Sequence, residues 1–176
     1  TMYGWHGAFD NCLWDIVGKV EGKSVSELIG RARQSCPAYY NYGGATKEAS
    51  AEDASKAAEQ GFIALKDHFR GTGEVNAEWA AAVRDSVGED LDLLHDAAGC
   101  SYTLDEAVEL GRRLEALKFG WFEEPLDDRD LTGLQRLCDA VDIPILAPET
   151  LMNDVDLSRA WLETASTDKL RVNRRI

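Results

Sequence analysis

Short apolar runs alternate with amphipathic stretches along most of this chain. The runs Pro37–Tyr42, Phe62–Phe69, Leu91–Asp96, Phe119–Glu123, Ile143–Ala147 and Leu170–Asn173 read as β-strands. Between them, apolar residues recur at three- and four-residue spacing, as at Ala107, Leu110, Leu114 and Leu117, which predicts helices. Thr103 with Glu106 forms a capping-box pattern, Thr132 with Gln135 forms another, and Asn76 and Asn153 read as N-caps. Gly61, Gly88 and Gly120 stand where helices hand over to the next strand. Alternation of this kind predicts a parallel sheet covered by helices. The segment before Pro37 differs: a helix around Ala8–Lys19, a turn at Glu21–Lys23 and a short helix Val25–Ile29. The expected organisation is therefore a helical entry segment, residues 1–36, followed by strands one to six over 37–176.

Composition narrows the class. The 176 residues, 44% of them hydrophobic, suffice for one domain with a sizeable core. A formal net charge of −13 argues against a nucleic-acid partner, whose phosphates need a basic face. No apolar run approaches the roughly 18 residues of a membrane span, and no basic-then-apolar leader opens the chain, so a cytoplasmic protein without a membrane partner is expected. Cys12, Cys36, Cys100 and Cys138 have no metal-site spacing and read as ordinary reduced thiols.

In parallel α/β folds the chemistry gathers at the C-terminal strand ends. Those ends carry Lys66 and His68, then His95 and Asp96, then Glu123 and Glu124, then Glu149. Lys66 to Asp96 is 30 residues, Asp96 to Glu123 is 27, and Glu123 to Glu149 is 26, each about one strand–helix unit. Three carboxylates arriving on successive strand ends of a barrel converge, and they repel unless a cation lies among them. An all-oxygen set suits Mg²⁺, or Mn²⁺, better than zinc. Lys66 and His68 are two apart, so they share one side of their strand and are candidates for a proton-abstracting base. A purely structural ion pair between Lys66 and one of the acids is the alternative.

Several segments resemble the mandelate racemase/muconate lactonizing branch of the enolase superfamily. Cys12-Leu-Trp-Asp-Ile-Val-Gly-Lys19 is similar to the helix that opens the barrel domain there, and Gly61-Phe-Ile-Ala-Leu-Lys66 to the strand ending in Lys-x-Lys. Leu93-Leu-His-Asp96-Ala-Ala-Gly99 resembles the strand with the first metal-binding aspartate. Trp121-Phe-Glu123-Glu124-Pro125-Leu126 resembles the Trp-x-Glu-Glu-Pro strand, and Ile143-Pro-Ile-Leu-Ala-Pro-Glu149-Thr150 the strand with the third ligand. The resemblance implies a (β/α)₇β TIM-like barrel, here cut to about its first six strands, with one Mg²⁺ held by Asp96, Glu123 and Glu149. It also implies removal of the proton α to a substrate carboxylate, the metal stabilising the enediolate, with a Lys or His base; the pairing of such a base with Mg²⁺ is a known pattern of this superfamily.

The reaction expected first is dehydration of an acid sugar or other hydroxy acid. Racemisation or epimerisation of a similar acid is the second reading, and a non-catalytic incomplete barrel that keeps the ligands is the third. His68 stands where the second lysine of Lys-x-Lys would be, so His68 is expected to hold the base position and Lys66 to keep its charge beside the substrate carboxylate. Ala98 replaces the usual asparagine after the first ligand, and Cys100 and Ser101 follow it. Tyr42, Glu124 and Asn173 are candidate substrate contacts at the strand ends. The run Asp127–Asp130 is expected to be a solvated loop. Six open strands would leave edges to cover, so self-association or pairing with a complementary chain is expected.

Overall fold

In the computed structural model five parallel strands line up in chain order, β1 (Tyr40–Asn41), β2 (Ala64–Lys66), β3 (Asp92–Asp96), β4 (Phe119–Glu123) and β5 (Ile145–Leu146). The structure describes residues 3–97, 100, 102–149 and 155–170, side chains at 3–6, 155 and 157 excepted. Beyond β5 the sheet is extended by a parallel bridge from Leu146 to Lys169, where Ala147 N–H donates to Lys169 O. Of the expected sixth strand, residues 171–173 lie outside the described residues. Helices α3 (Lys47–Glu59), α4 (Gly73–Val87), α5 (Leu104–Ala116) and α6 (Leu131–Ala140) connect successive strands, and α7 (Val155–Glu163) follows β5. Neighbouring strands joined only through helices are what parallel pairing requires.

The chain divides into two compact units, one taking in the residues up to Pro37 and the other running from Ala38. In the first, α1 (Tyr3–Glu21) is followed by α2 (Val25–Leu28), whose Ser24 and Glu27 form a capping box. Phe9, Leu13, Ile16 and Val20 of α1 are exposed.

In the second unit, α3 packs on α4, α4 on α5 and α5 on α6. Ala54 and Ala57 of α3 and Ala77 and Ala80 of α4 are fully buried, side chains small enough to let the two helices approach closely. Leu110, Leu114, Leu134 and Leu137 of the later helices close the core against Leu65, Leu93, Phe122 and Ile145 of the strands. Thr103 caps α5 in a capping box with Glu106, as the pattern predicts. Two expected caps move. Thr72, not Asn76, caps α4, and Asn76 is a buried bridge inside the helix. Asp130, not Thr132, caps α6, accepting from Gly133 N–H. Gly61 and Gly88 take the left-handed conformation expected of helix ends (φ 92° and 76°). Gly120 lies inside β4, and Lys118 (φ 56°) makes that turn instead. Asn153 lies outside the described residues.

One irregularity decides which side chains face which way. Between Leu93 and His95 the pairing slips, so that two steps along β3 match three along β4: Leu93 pairs with Phe119, and His95 with Phe122. This is the count of a β-bulge. It lets Phe119 lie under the Arg84 guanidinium (5.9 Å) and Phe122 beside the His95 ring (5.3 Å), both toward the helices. Trp121 and Glu123 are left for the opposite side of the sheet.

Arg84, 7% exposed, closes the bottom of this arrangement. Its guanidinium donates to four carbonyl oxygens, those of Leu117 (2.8 Å), Gly88 (2.8 Å), Leu91 (2.9 Å) and Lys118 (3.0 Å). A lysine ammonium cannot span four acceptors laid out for a planar fork. Arg84→Lys should therefore lower unfolding stability by about 2 kcal/mol, read from urea midpoints; an unchanged midpoint contradicts the assignment.

All four cysteines are free, Cys12 and Cys36 exposed and the other two half-buried. Burial first, then the nearby Asp168 and Asp139, push the Cys138 thiol up to about 12. The unfolded thiol ionises near 9, so between these values the folded chain binds the extra proton and stability falls as pH rises. Wild type should lose more of its urea midpoint between pH 8 and pH 10.5 than Cys138→Ala does. Equal losses contradict this.

Candidate metal and proton-transfer site

The strand register brings the chemistry together. Asn41 pairs with Lys66, Lys66 with Leu94, and Asp96 with Glu123, so the C-terminal ends of β1 to β4 finish at similar heights. On the side away from the helices the Lys66 ammonium lies 2.8 Å from Asp96 Oδ2 and 2.7 Å from Glu123 Oε2. All three side chains are buried, at 2%, 1% and 0% exposure. Burial favours the neutral amine, but hydrogen bonds and charge from Asp96 and Glu123 outweigh it and raise the Lys66 pKa above its ordinary value. Lys66 is thus held as a cation.

His68, 43% exposed, sets Nε2 3.2 Å from Asp96 Oδ2. Lys66 and His68 therefore meet the same carboxylate, as their two-residue spacing predicts. Cys100 lies elsewhere, its thiol donating to Phe69 O (3.3 Å) near Asn76 Nδ2 (3.8 Å). Ala98, Ser101 and Asn173 lie outside the described residues. A cavity of about 450 Å³ opens beside His68, walled by Tyr42, Phe69, Arg70, Val75 and Trp79; Lys66, Asp96 and Glu123 do not line it.

The remaining acids form a second grouping. Glu124 follows Glu123 in the left-handed conformation (φ 49°), its N–H donating to Leu146 O (3.0 Å). Burial first, then Glu149 and Asp128, push its carboxyl up to about 8, and a hydrogen bond joins it to Glu149. Asp128, expected to be solvated, is 4% exposed. The loop is tied down there because Trp161 Nε1 donates to Asp128 O (3.0 Å). Tyr42 is also buried, and its hydroxyl donates to Asp67.

Two aromatic residues that were not among the candidate site residues lie near the site. The Tyr39 ring lies 5.5 Å from Lys66 Nζ and edge-on to Trp121 at 6.0 Å. Trp121 Nε1 donates to Glu123 Oε2 (3.3 Å), and Lys169 Nζ stands 5.3 Å over the Trp121 ring. The signal was parity: Trp121 is two before Glu123, and Tyr39 is on the alternation opposite to Tyr40 and Tyr42.

The donor chemistry can be set against a hard divalent cation. Asp96 and Glu123 offer carboxylate oxygens that already converge on one positive charge, which fits. Glu149 sits with Glu124, and among the described residues no three His, Cys, Asp or Glu side chains are gathered as a ligand set. The convergent pair is thus the part of a hard-ion site that the geometry carries. No described helix is long and apolar enough to cross a membrane.

Residues 49–173 match the family described as enolase C-terminal domain-like. The chain is 35% identical over 149 residues to arabinonate dehydratase of Saccharolobus solfataricus, covering 80% of this chain and 39% of that protein. It is 37% identical over 149 residues to D-galactarolactone cycloisomerase of Agrobacterium fabrum, again covering 80% and 39%. The crystal structure of D-glucarate dehydratase from Agrobacterium tumefaciens complexed with magnesium superposes with a TM-score of 0.87 at 31% identity, over 93% of this chain and 46% of that one. The chain spans about two fifths of the length of these two curated relatives. A parallel strand–helix sheet with its charged cluster at the C-terminal strand ends, matched by family over residues 49–173, leaves one assignment: the chain belongs to the enolase superfamily, in its mandelate racemase/muconate lactonizing branch.

Proposed function

We propose that these strand ends abstract the proton α to the carboxylate of a hydroxy acid with the help of Mg²⁺, and that the reaction is dehydration of an acid sugar. The observation that carries this reading is the Lys66 ammonium held between Asp96 and Glu123 on adjacent strands. The relatives named as dehydratases and as a sugar-lactone cycloisomerase support the substrate class.

In this reading Asp96 and Glu123 hold the metal, with Glu149 as the third ligand. The metal, when bound, supplies Lewis-acid stabilisation of the charge that develops on the substrate carboxylate. A dication and a charged Lys66 compete for the same two carboxylates, so Lys66 turns from them toward the substrate carboxylate and holds it electrostatically. His68 is the base. With its Nε2–H donated to Asp96, the lone pair is on Nδ1; that atom receives the α-proton and, as an imidazolium, returns it to the β-hydroxyl, so that the β C–O bond breaks, the α–β double bond forms and water leaves. Lys66 suits this step less well, being buried and held protonated. Tyr39 and Trp121 wall the Lys66 side.

Calorimetry of the 176-residue chain should show binding of about one Mg²⁺, abolished in Glu123→Gln. Equal binding by both proteins removes Glu123 from the site. His68→Asn should bind Mg²⁺ like wild type while slowing exchange of the α-proton of an acid sugar in D₂O by about 10²–10⁴-fold. Undiminished exchange in that variant assigns the base elsewhere.

A further inference from the structure

Directly behind the charged cluster, on the helix side of the same strand ends, is a second buried polar group that the proposed chemistry does not use. Asp67 stands between Lys66 and His68 in the chain and is 0% exposed. Its Oδ1 accepts from His95 Nδ1 (2.7 Å) and from Phe69 N–H (3.1 Å), and its Oδ2 accepts from Tyr42 Oη (3.2 Å). His95, also 0% exposed, immediately precedes Asp96. Its ring lies between those of Phe69 (6.4 Å) and Phe122 (5.3 Å), and its Nε2 is buried with no hydrogen-bond partner among the described residues. Tyr42 packs edge-on to Phe69 at 5.8 Å. One carboxylate thus ties together three successive strand ends, those of β1, β2 and β3.

The backbone repeats the tie at the same height. Tyr42 N–H donates to Lys66 O (3.0 Å), and Asp67 N–H donates to Leu94 O (3.1 Å). Side chains alternate across a strand, so Asp67 and His95 point to the helices because Lys66 and Asp96 point the other way. A slip of one residue in β2 or β3 would exchange the two sets. Three neighbours of the triad in sequence, Lys66, His68 and Asp96, are the groups that must meet within about 3 Å on the far side. Asp67 and His95 are 0% exposed, where an unpaired polar group is costly, so the tie resists sliding and tilting of these ends.

We propose that Tyr42, Asp67 and His95 are positioning residues that set the height and tilt at which Lys66 and His68 meet Asp96, and through Asp96 the affinity for the divalent ion. The inference rests on the metal-site reading above. Neither Tyr42 nor His95 needs to touch substrate for this, and the Tyr42 hydroxyl is already committed to Asp67.

The test is a Mg²⁺ titration of the wild-type chain, Asp67→Ala, Asp67→Asn, Tyr42→Phe and Arg84→Lys, each well below its melting temperature. Asp67→Ala should bind Mg²⁺ at least about tenfold more weakly, the loss found when partners behind metal ligands are removed. Asp67→Asn, which keeps an oxygen for His95 and for Phe69 N–H, should recover most of that affinity. Tyr42→Phe, which loses a single hydrogen bond, should fall between them. Arg84→Lys is the control, a destabilised chain with unchanged Mg²⁺ affinity. Wild-type affinity in folded Asp67→Ala and in Tyr42→Phe overturns the inference, as does a loss in Arg84→Lys equal to theirs. If Asp67→Ala does not fold, Tyr42→Phe decides alone. Absence of Mg²⁺ binding by wild type overturns the metal-site reading and this inference with it, whereas binding by wild type with unaffected variants overturns only the inference.

Discussion

An ammonium group buried between two carboxylates is the constraint on which the rest of this structure depends. Lys66, Asp96 and Glu123 are together almost wholly withdrawn from solvent. Burying any one of these charges unpaired is strongly unfavourable. Their proximity is tolerable because each compensates another, and it is possible because parallel strands in chain order end side by side. One positive and two negative charges leave the cluster net negative, the condition that favours a dication over the lysine. The same geometry accounts for the folded chain without metal and for the proposed function with it.

The sheet holds that cluster in place by serving two layers at once. Toward the helices it presents Leu65, Leu93, His95 and Phe122, packed under α4 and α5. Away from them it presents Lys66, Asp96, Trp121 and Glu123. The slip between β3 and β4 reconciles the two demands on β4, since strict alternation from Phe119 to Glu123 would put Phe119 and Glu123 on one side. Arg84 at the base and the Tyr42–Asp67–His95 tie at the top then fix the two ends of the same strands.

Much of this was readable from the residues. The strand–helix alternation, the spacing of Lys66, Asp96 and Glu123, and the Thr103–Glu106 cap are periodic or local signals, and local signals survive into the fold. Other features depend on tertiary neighbours. Asn76 reads as an N-cap because asparagine suits that place, yet Thr72 four residues earlier caps the helix and Asn76 bridges Gly71, Phe69 and Tyr102. Gly120 reads as a helix stop, but Lys118 accepts the left-handed turn and the glycine lies against Leu94 inside β4. Asp128 belongs to a charged run that looks solvated and is buried once Trp161 bonds its carbonyl. The closeness of Glu149 to Glu124 depends on the turn after Glu123, for which no sequence spacing is a guide.

The two charge groupings together describe a site with two settings. In one, the lysine satisfies Asp96 and Glu123 while Glu124 and Glu149 are joined through a hydrogen bond. In the other, which the proposed function requires, a metal would take the lysine's place. The most direct test is anomalous diffraction from crystals of this chain soaked in Mn²⁺. The account predicts a single strong peak within about 2–2.5 Å of carboxylate oxygens of both Asp96 and Glu123, with the Lys66 ammonium moved off them. A peak elsewhere, with Lys66 still bridging the two carboxylates, would contradict it.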